Sequence, residues 1–262
     1  MVHIIADTTS SLTLEMAKQL GVDFFPQIIN FGDESFRDDT ELDTATFLAK
    51  LKAAPTLPKT AAPPPALYTP LFQKLSETGE SGIVICPSAE VSGTVRSATV
   101  AAQEFPNADI RVIDTHTIST GLGSIVRQAV KWAAEGLSTD ELVARVENLS
   151  SRERVYFMVD TLEHLYKGGR IGGAQMLFGS ILQVKPILTI KNGRIEPVES
   201  QRTKRRALDR MKEIIEAECP RNSEAHVTIM HGDNVDEAAI YANELKQALG
   251  VGEVPLYLLP SA

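Results

Sequence analysis

Residues 82–105 read GIVICPSAEVSGTVRSATVAAQEF, and this stretch decides the fold class. Its first five residues are a short apolar run, which is typical of a strand buried on both faces. A helix is predicted over residues 92–105. Similar pairs flank this stretch, with strands at 3–6 and 110–114 and helices at 13–20 and 121–134. The alternation predicts a parallel sheet covered by helices on both faces.

The second half of the chain has a different pattern. Two apolar stretches, residues 184–190 and 195–200, flank Lys191-Asn192-Gly193-Arg194. Asn-Gly between two such stretches fits the two-residue turn of a β-hairpin. Helices are predicted over residues 203–218 and 235–249, where apolar side chains recur at helical spacing.

The change of pattern predicts an α/β protein of two domains. Residues 1–150 are expected to form an N-terminal domain with a parallel, Rossmann-like sheet. Residues 151–262 are expected to form a C-terminal α+β domain with a mixed or antiparallel sheet. Residues 55–65 contain five prolines, which exclude a regular helix or a central strand there.

The composition excludes several classes of protein. The 262 residues carry a formal net charge of -8, which repels phosphate backbones, so no nucleic-acid partner is expected. The two cysteines and five histidines lack metal-ligand spacing, so no metal is expected. No GxxxxGK or GxGxxG loop is present. The absence of a cationic apolar leader and of a membrane-length apolar run predicts a cytoplasmic protein without a membrane span.

Three short segments place anion donors beside flexible backbone. Thr60 follows Pro58-Lys59, Ser92-Gly93-Thr94 follows an apolar strand, and Arg170 follows Gly168-Gly169. Hydroxyls, N–H groups at a helix start and a guanidinium all suit a carboxylate or phosphate. No base or metal ligand stands beside them, so the segments favour anion binding over catalysis. The alternatives are that Ser92 and Thr94 only cap a helix, and that Gly168-Gly169 ends a helix before a solvated Arg170.

Two further features allow more than one interpretation. A basic cluster at the start of the predicted helix 203–218 opposes the helix dipole, which indicates either a partner-binding surface or a solvated face. The cluster consists of Arg202, Lys204, Arg205, Arg206 and Arg210. The apolar run over residues 178–190 fits a packed core, or the lining of a pocket for an apolar chain.

Several motifs recur in one order over nearly the whole chain. They are Asp7-Thr8-Thr9-Ser10, Ser92-Gly93-Thr94 with Ser97-Ala98, Ile113-Asp114-Thr115, residues 165–171 (LYKGGRI), Lys185-Pro186-Ile187-Leu188, and Arg202-Thr203-Lys204 with Ala207. In this order and spacing, the chain resembles the DegV family of bacterial fatty-acid-binding proteins. Two features depart from the family pattern. Thr60-Ala61-Ala62-Pro63 stands where the family has Thr-Ser-Gln-Pro, and the family's His-x-Gly-Pro-Gly loop is not found before Ala262.

The resemblance implies that the protein binds a long-chain fatty acid such as palmitate in an apolar tunnel, with no other cofactor. Residues 1–150 would carry the head-group loops, and residues 151–262 would line the acyl-chain pocket. Thr60 and Ser92 would contact the carboxylate, with Arg170 near the same network. Gly93 and Thr94 complete the predicted ligand-binding set.

The resemblance further implies a non-catalytic carrier that presents the fatty acid to the catalytic subunit of a separate fatty acid kinase. Arg202, Lys204, Arg205 and Arg206 are the predicted partner-binding residues. The alternative is an enzyme that acts on an acyl or phosphorylated small molecule. Its candidate residues are Asp7, Arg170 and His231.

Overall fold

The chain divides into two compact units, Met1–Glu153 and Arg154–Leu259. The computed structural model describes residues 1–178, 184–221, 225–232 and 234–259. Part of the apolar run at 178–190 therefore lies outside the described residues, as do the last three residues of the chain. Each unit has its own sheets and its own hydrophobic clusters.

The first unit contains two separate sheets. Its strands are β1 (Val2–Asp7), β2 (Asp23–Phe25), β3 (Ile28–Phe31), β4 (Glu34–Arg37), β5 (Lys59–Ala61), β6 (Ser81–Cys86) and β7 (Ile110–Asp114). The order β2-β1-β6-β7 forms a parallel sheet, which confirms the predicted fold class. The order β4-β3-β5 forms a small antiparallel sheet that the sequence analysis did not predict.

Helices cover both faces of the parallel sheet. The helices of the first unit are α1 (Leu14–Leu20), α2 (Thr44–Ala53), α3 (Pro65–Thr78), α4 (Thr94–Gln103), α5 (Ser119–Ala134) and α6 (Thr139–Arg152). All of them except α2 contribute side chains to the two clusters on the parallel sheet, whereas Phe47 of α2 packs against Phe31 of the small antiparallel sheet. Alternate residues of β6 face opposite layers, as a strand's two-residue period requires. Ile83 and Ile85 pack in the cluster that contains α5 and α6 side chains. Val84 packs with Tyr68 and Phe72 of α3 in the other cluster.

Local sequence signals explain where the helices begin and end. The Thr13 hydroxyl accepts the Met16 N–H at the start of α1, and Gly21 ends the helix with a left-handed φ of 69°. α6 is not among the helices predicted above, although its sequence carries a start signal: Ser138 and Glu141 form a capping box there.

The second unit is built around a β-hairpin. Its strands are β8 (Tyr156–Phe157), β9 (Lys185–Lys191), β10 (Arg194–Gln201), β11 (Ile229–His231) and β12 (Leu256–Leu258). β9 and β10 are antiparallel, and both turn residues have positive φ, 50° at Asn192 and 78° at Gly193. This is the conformation expected for an Asn-Gly hairpin turn. β8 pairs antiparallel with β9, whereas β11 and β12 form a separate parallel pair.

Three helices of the second unit complete the described fold: α7 (Glu163–Lys167), α8 (Lys204–Glu218) and α9 (Val235–Leu249). α8 and α9 contribute Ala207, Tyr241 and Leu245 to a cluster with Ile187 of β9. The amphipathic spacing in the sequence predicted both of these long helices.

Two glycines of α5 have no room for a side chain, one because of neighbouring backbone and the other because of a neighbouring side chain. A Cβ added at Gly123 would lie 2.2 Å from the Ser10 carbonyl oxygen, and one at Gly121 would lie 2.4 Å from the movable Glu153 carboxylate. We expect Gly123→Ala to lower the free energy of unfolding by about 1–3 kcal/mol, because backbone must shift. In Gly121→Ala, the helix-propensity gain of about 1 kcal/mol offsets the side-chain displacement.

Urea unfolding of both variants and the wild type measures this difference. Gly121→Ala is the matched control, since it lies in the same helix and undergoes the same chemical change. Equal unfolding free energies for the two variants would contradict the expected backbone collision at Gly123.

Candidate functional site

The candidate site lies at one edge of the parallel sheet of the first unit. β1 and β6 are parallel neighbours, so their carboxyl ends reach the same edge, which is where open α/β sheets bind ligands. A 3-10 turn, Thr8–Ser10, follows β1, and Thr94 begins α4 after β6. The sequence segments around Asp7 and Ser92 are therefore brought together by the sheet.

Asp7 is the buried centre of the site, with 1% of its surface exposed. Its Oδ1 atom accepts the Thr9 N–H at 3.0 Å and also the Thr9 hydroxyl. Its Oδ2 atom accepts Gln27 Nε2 at 2.6 Å and the Thr94 hydroxyl at 2.8 Å. Both carboxyl oxygens are thus satisfied from within the protein. A carboxyl enclosed in this way is poorly placed to act as a nucleophile.

Ser92 extends this network outward. Its Oγ lies 3.0 Å from Thr94 Oγ1 and accepts the Thr94 N–H at 3.3 Å. The prediction that Ser92 caps the helix over residues 92–105 is wrong, because the helix begins later than predicted and Ser92 lies one residue before the N-cap position. α4 begins at Thr94, Gly93 occupies the N-cap position, and no side chain caps it. The Ser92 hydroxyl therefore stands just before the helix, while buried Thr94 links it to Asp7.

The segment that carries Thr60 is fastened to the start of α4. Thr60 lies in β5 opposite Ile29 of β3 and is half-buried. A Cβ added at Gly93 would lie 3.5 Å from Ala62 Cβ, and the Ser97 hydroxyl donates to the Pro63 carbonyl. The structure therefore brings the Thr60 segment to the Ser92-Gly93-Thr94 segment, as the hypothesis of one head-group site requires.

Burial shifts two carboxyl groups beside this network. Desolvation raises the pKa of Asp7, although four hydrogen bonds oppose that rise. Desolvation also raises the pKa of Asp38 to about 7, against the hydrogen bond that the Thr8 hydroxyl donates at 2.8 Å. Thr8 Oγ1 in turn accepts the Gln27 N–H at 3.0 Å. The two carboxyl groups therefore belong to one connected polar cluster.

An open depression of about 460 Å³ lies over the start of α4. It is lined by Ala89, Glu90, Val91, Ser92, Gly93, Val95 and Arg96. The hydroxyl of Ser92 and the exposed Arg96 thus border the same space. Sequence reasoning missed Arg96, because an arginine in the first turn of a helix resembles any solvated side chain.

Arg170 belongs to the second unit, where the alternative reading of its segment holds locally. The Arg170 N–H donates to the Leu165 carbonyl at 2.9 Å, and Gly169, with a φ of 71°, donates to Tyr166 at 3.0 Å. This pair of bonds is a Schellman motif that ends α7. The guanidinium of Arg170 is exposed, and its predicted contact with a ligand carboxylate stays a prediction. His231, the other catalytic candidate, ends β11 in the same unit and contacts the Gly232 carbonyl at 2.8 Å.

The predicted partner-binding cluster is partly neutralised by acidic neighbours. Lys204 Nζ lies 2.5 Å from Glu237 of α9. Arg205 pairs with Asp209 at 3.1 Å and with Glu244 at 3.7 Å. Arg202 and Arg206 are exposed, and neither forms an ion pair with the residues that the structure describes. The positive charge available to a partner therefore comes from Arg202 and Arg206.

The described residues offer neither a metal site nor a membrane-spanning helix. Over the described ranges, no group of three or more His, Cys, Asp or Glu side chains is arranged to hold a metal ion. Within the same part of the chain, every helix is too short or too polar to cross a membrane.

Comparisons with known proteins identify the class to which this fold and site belong. Residues 1–261 match the family model described as "Uncharacterised protein, DegV family". A DegV domain-containing protein of Streptomyces coelicolor is 37% identical over 247 residues, which are 94% of this chain and 86% of that protein. The chain belongs to the DegV family.

Solved structures of the family share the fold. A DegV family protein from Thermus thermophilus, described as binding fatty acid, has a TM-score of 0.86 and 32% identity, covering 98% of this chain and 92% of that one. DegV from Bacillus subtilis, described as a fatty acid binding protein, has a TM-score of 0.84 and 30% identity, covering 98% and 91%. The family resemblance drawn from the motifs is therefore confirmed.

The raised pKa of Asp38 predicts a pH dependence of stability. The folded protein keeps a proton on Asp38 up to about pH 7, whereas the unfolded chain releases it near the ordinary pKa of 3.8. The folded state binds more protons in this window, so this carboxyl makes the free energy of unfolding fall as pH rises from about 4 to about 7. Asp38→Asn removes that contribution and should gain stability relative to the wild type across the window.

Urea unfolding of the wild type and Asp38→Asn at several pH values measures the effect. The amide can still accept the hydrogen bond from Thr8, so the comparison isolates the charge. A stability difference that stays constant from about pH 4 to about pH 8 would show that Asp38 titrates normally.

Proposed function

We propose that this protein binds a long-chain fatty acid and holds its carboxylate with the hydroxyls of Thr60 and Ser92, at the start of α4. The observation that carries the proposal is the Ser92 hydroxyl, which borders an open depression and lies 3.0 Å from the hydroxyl of buried Thr94, which in turn donates to Asp7. Two family members at 30% identity or more are described as fatty acid binding, which supports the same ligand.

The position before α4 suits an anion for two physical reasons. The first N–H groups of a helix lack intrahelical partners, and the helix dipole adds partial positive charge there. Gly93 has no side chain, so a ligand can approach this backbone closely. Arg96 on the same rim adds a full positive charge. A carboxylate is therefore matched by hydroxyl, N–H and guanidinium donors within one unit.

The acyl chain supplies the affinity, while the head-group site supplies orientation. Burial of each methylene contributes about 0.8 kcal/mol, so a chain as long as that of palmitate contributes roughly 10 kcal/mol before association costs. Neutral hydroxyls then suffice to hold the carboxylate. They leave one of its oxygens able to attack a phosphoryl donor, which a buried ion pair would hinder.

The presentation step belongs to the same proposal. The protein presents the carboxylate to the catalytic subunit of a fatty acid kinase and performs no catalysis itself. The cytoplasmic location expected from the sequence fits this role, because ATP would be the phosphoryl donor. Arg170 is proposed as a further contact of the head group, and Arg202, Lys204, Arg205 and Arg206 as the partner-binding residues.

Removal of the Ser92 hydroxyl tests whether this side chain holds the carboxylate of the ligand. We expect Ser92→Ala to weaken palmitate binding about 10- to 100-fold, because a hydrogen bond to a charged group contributes about 1.5–3 kcal/mol. Thr99→Val is the matched control. It removes a hydroxyl from the exposed side of α4, where that group donates to the Val95 carbonyl. Titration calorimetry measures both affinities, and mass spectrometry of the purified protein identifies any retained fatty acid.

Two results would count against the binding proposal. One is a wild-type protein that takes up no fatty acid over a range of chain lengths. The other is an affinity of Ser92→Ala equal to that of Thr99→Val, which would move the carboxylate away from α4.

A charge reversal in the basic cluster tests separately whether the protein docks on a fatty acid kinase catalytic subunit. We expect Arg206→Glu to reduce capture of a purified fatty acid kinase catalytic subunit about tenfold or more, because an exposed cation that has no ion pair among the described residues becomes an anion. Lys246→Glu, an exposed reversal on α9 of the same unit, is the control. Surface plasmon resonance measures capture, and palmitate content checks that the variants stay loaded. Equal capture by both variants removes Arg206 from the interface.

A further inference from the structure

We propose that Asp7 is a positioning residue for the bound carboxylate and that it carries a proton whenever that carboxylate is bound. The inference rests on the fatty-acid-binding function proposed above and adds a mechanism to it. A continuous line of hydrogen bonds joins Asp7 Oδ2 to Thr94 Oγ1 at 2.8 Å, and Thr94 Oγ1 to Ser92 Oγ at 3.0 Å. The line runs from a fully buried carboxyl to the wall of the depression.

When Asp7 is ionised, the hydroxyl protons along this line of hydrogen bonds point toward Asp7 and away from an anionic ligand. A carboxylate only accepts hydrogen bonds, so the single proton of the Thr94 hydroxyl must point to Asp7. As long as the 3.0 Å contact between the two hydroxyls is kept, Ser92 is its donor, since the Thr94 hydroxyl has no second proton to give. Ser92 Oγ is left to turn a lone pair toward the depression. A ligand carboxylate placed there would meet an acceptor where it needs a donor.

When Asp7 is protonated, every hydrogen bond along this line reverses its direction. Its Oδ2 proton points to Thr94, the Thr94 proton points to Ser92, and the Ser92 proton points into the depression. Gln27 Nε2 donates to Asp7 in either state and so does not oppose the reversal. The two carboxyl groups, that of Asp7 and that of the ligand, thereby share one negative charge across two hydroxyls.

Electrostatics favour the shared charge. Two ionised carboxylates linked through two hydroxyls in a poorly solvated region repel each other, as do paired carboxyls in acidic active sites. Burial raises the pKa of Asp7, which already favours the proton. The titratable groups that act on Asp7 from its surroundings are Asp38, Tyr68 and Cys86, and those lining the depression are Glu90 and Arg96. The three around Asp7 are acids, so none of them adds a positive charge to offset a second anion.

Isotope-edited infrared spectroscopy of the complex with carboxyl-labelled palmitate tests the proposal at about pH 8. The label separates the ligand carboxyl from those of the protein. We expect an ionised palmitate band together with the carbonyl stretch of a protonated protein carboxyl. That second band should vanish in Asp7→Asn and persist in Asp38→Asn, the matched control for the other carboxyl of raised pKa.

A second arm avoids any change at Asp7. Asp38→Asn protein prepared with carboxyl-labelled aspartate leaves Asp7 as the aspartate with a raised pKa among the described residues. A shifted protonated band in its palmitate complex assigns the proton to Asp7. Thr94→Val should also weaken palmitate binding about tenfold, and Thr94→Ser should restore it, because Ser92 then regains its oriented neighbour.

The outcomes separate the relay from the binding function. Palmitate bound beside an ionised Asp7, a proton found on the labelled palmitate, or an undiminished affinity in Thr94→Val overturns the relay while leaving fatty-acid binding in place. A wild-type protein that binds no palmitate overturns both.

Discussion

The polar end of the first unit depends on the burial of one carboxyl group. Moving a carboxyl out of water costs several kcal/mol unless hydrogen bonds replace the lost solvent. The donors to Asp7 come from Thr9, Gln27 and Thr94, which lie in three separate parts of the chain. The turn after β1, the segment before β3 and the start of α4 must therefore all be in place together. Hydrogen-bonding Asp7 and assembling the loops proposed to hold the head group are therefore one event.

This dependence explains why the site is both rigid and open. The network fixes Thr94 and, through it, Ser92, while the close approach of Gly123 to Ser10 holds the turn after β1 against α5. The rim itself consists of exposed Gly93 and Arg96 beside an open depression. A fixed donor set on an accessible rim suits the carrier role proposed above, because it can orient a carboxylate without enclosing it.

Local signals in the sequence predicted the parallel sheet, both long helices of the second unit and the hairpin, because apolar period, capping residues and Asn-Gly each act over a few residues. The β4-β3-β5 sheet escaped prediction. Its strands are three or four residues long, and β5 lies among prolines. The sequence also identified the segments around Thr60 and Ser92. It gave no sign that Gln27 donates to Asp7 and, at 3.1 Å, to Thr94, because contacts between residues 20 or 67 positions apart leave no local pattern. The ion pairs of Lys204 and Arg205 with α9 could not be predicted from the sequence for the same reason.

The shortness of β5 has a consequence for local stability. Three residue pairs join it to β3, and Pro58 and Pro63 flank it, so the ladder is too short to resist much force. Short edge strands open at low free-energy cost, well below that of unfolding the whole unit. We therefore expect β5, the strand that carries Thr60, to separate from β3 in local openings while the parallel sheet of the unit stays intact.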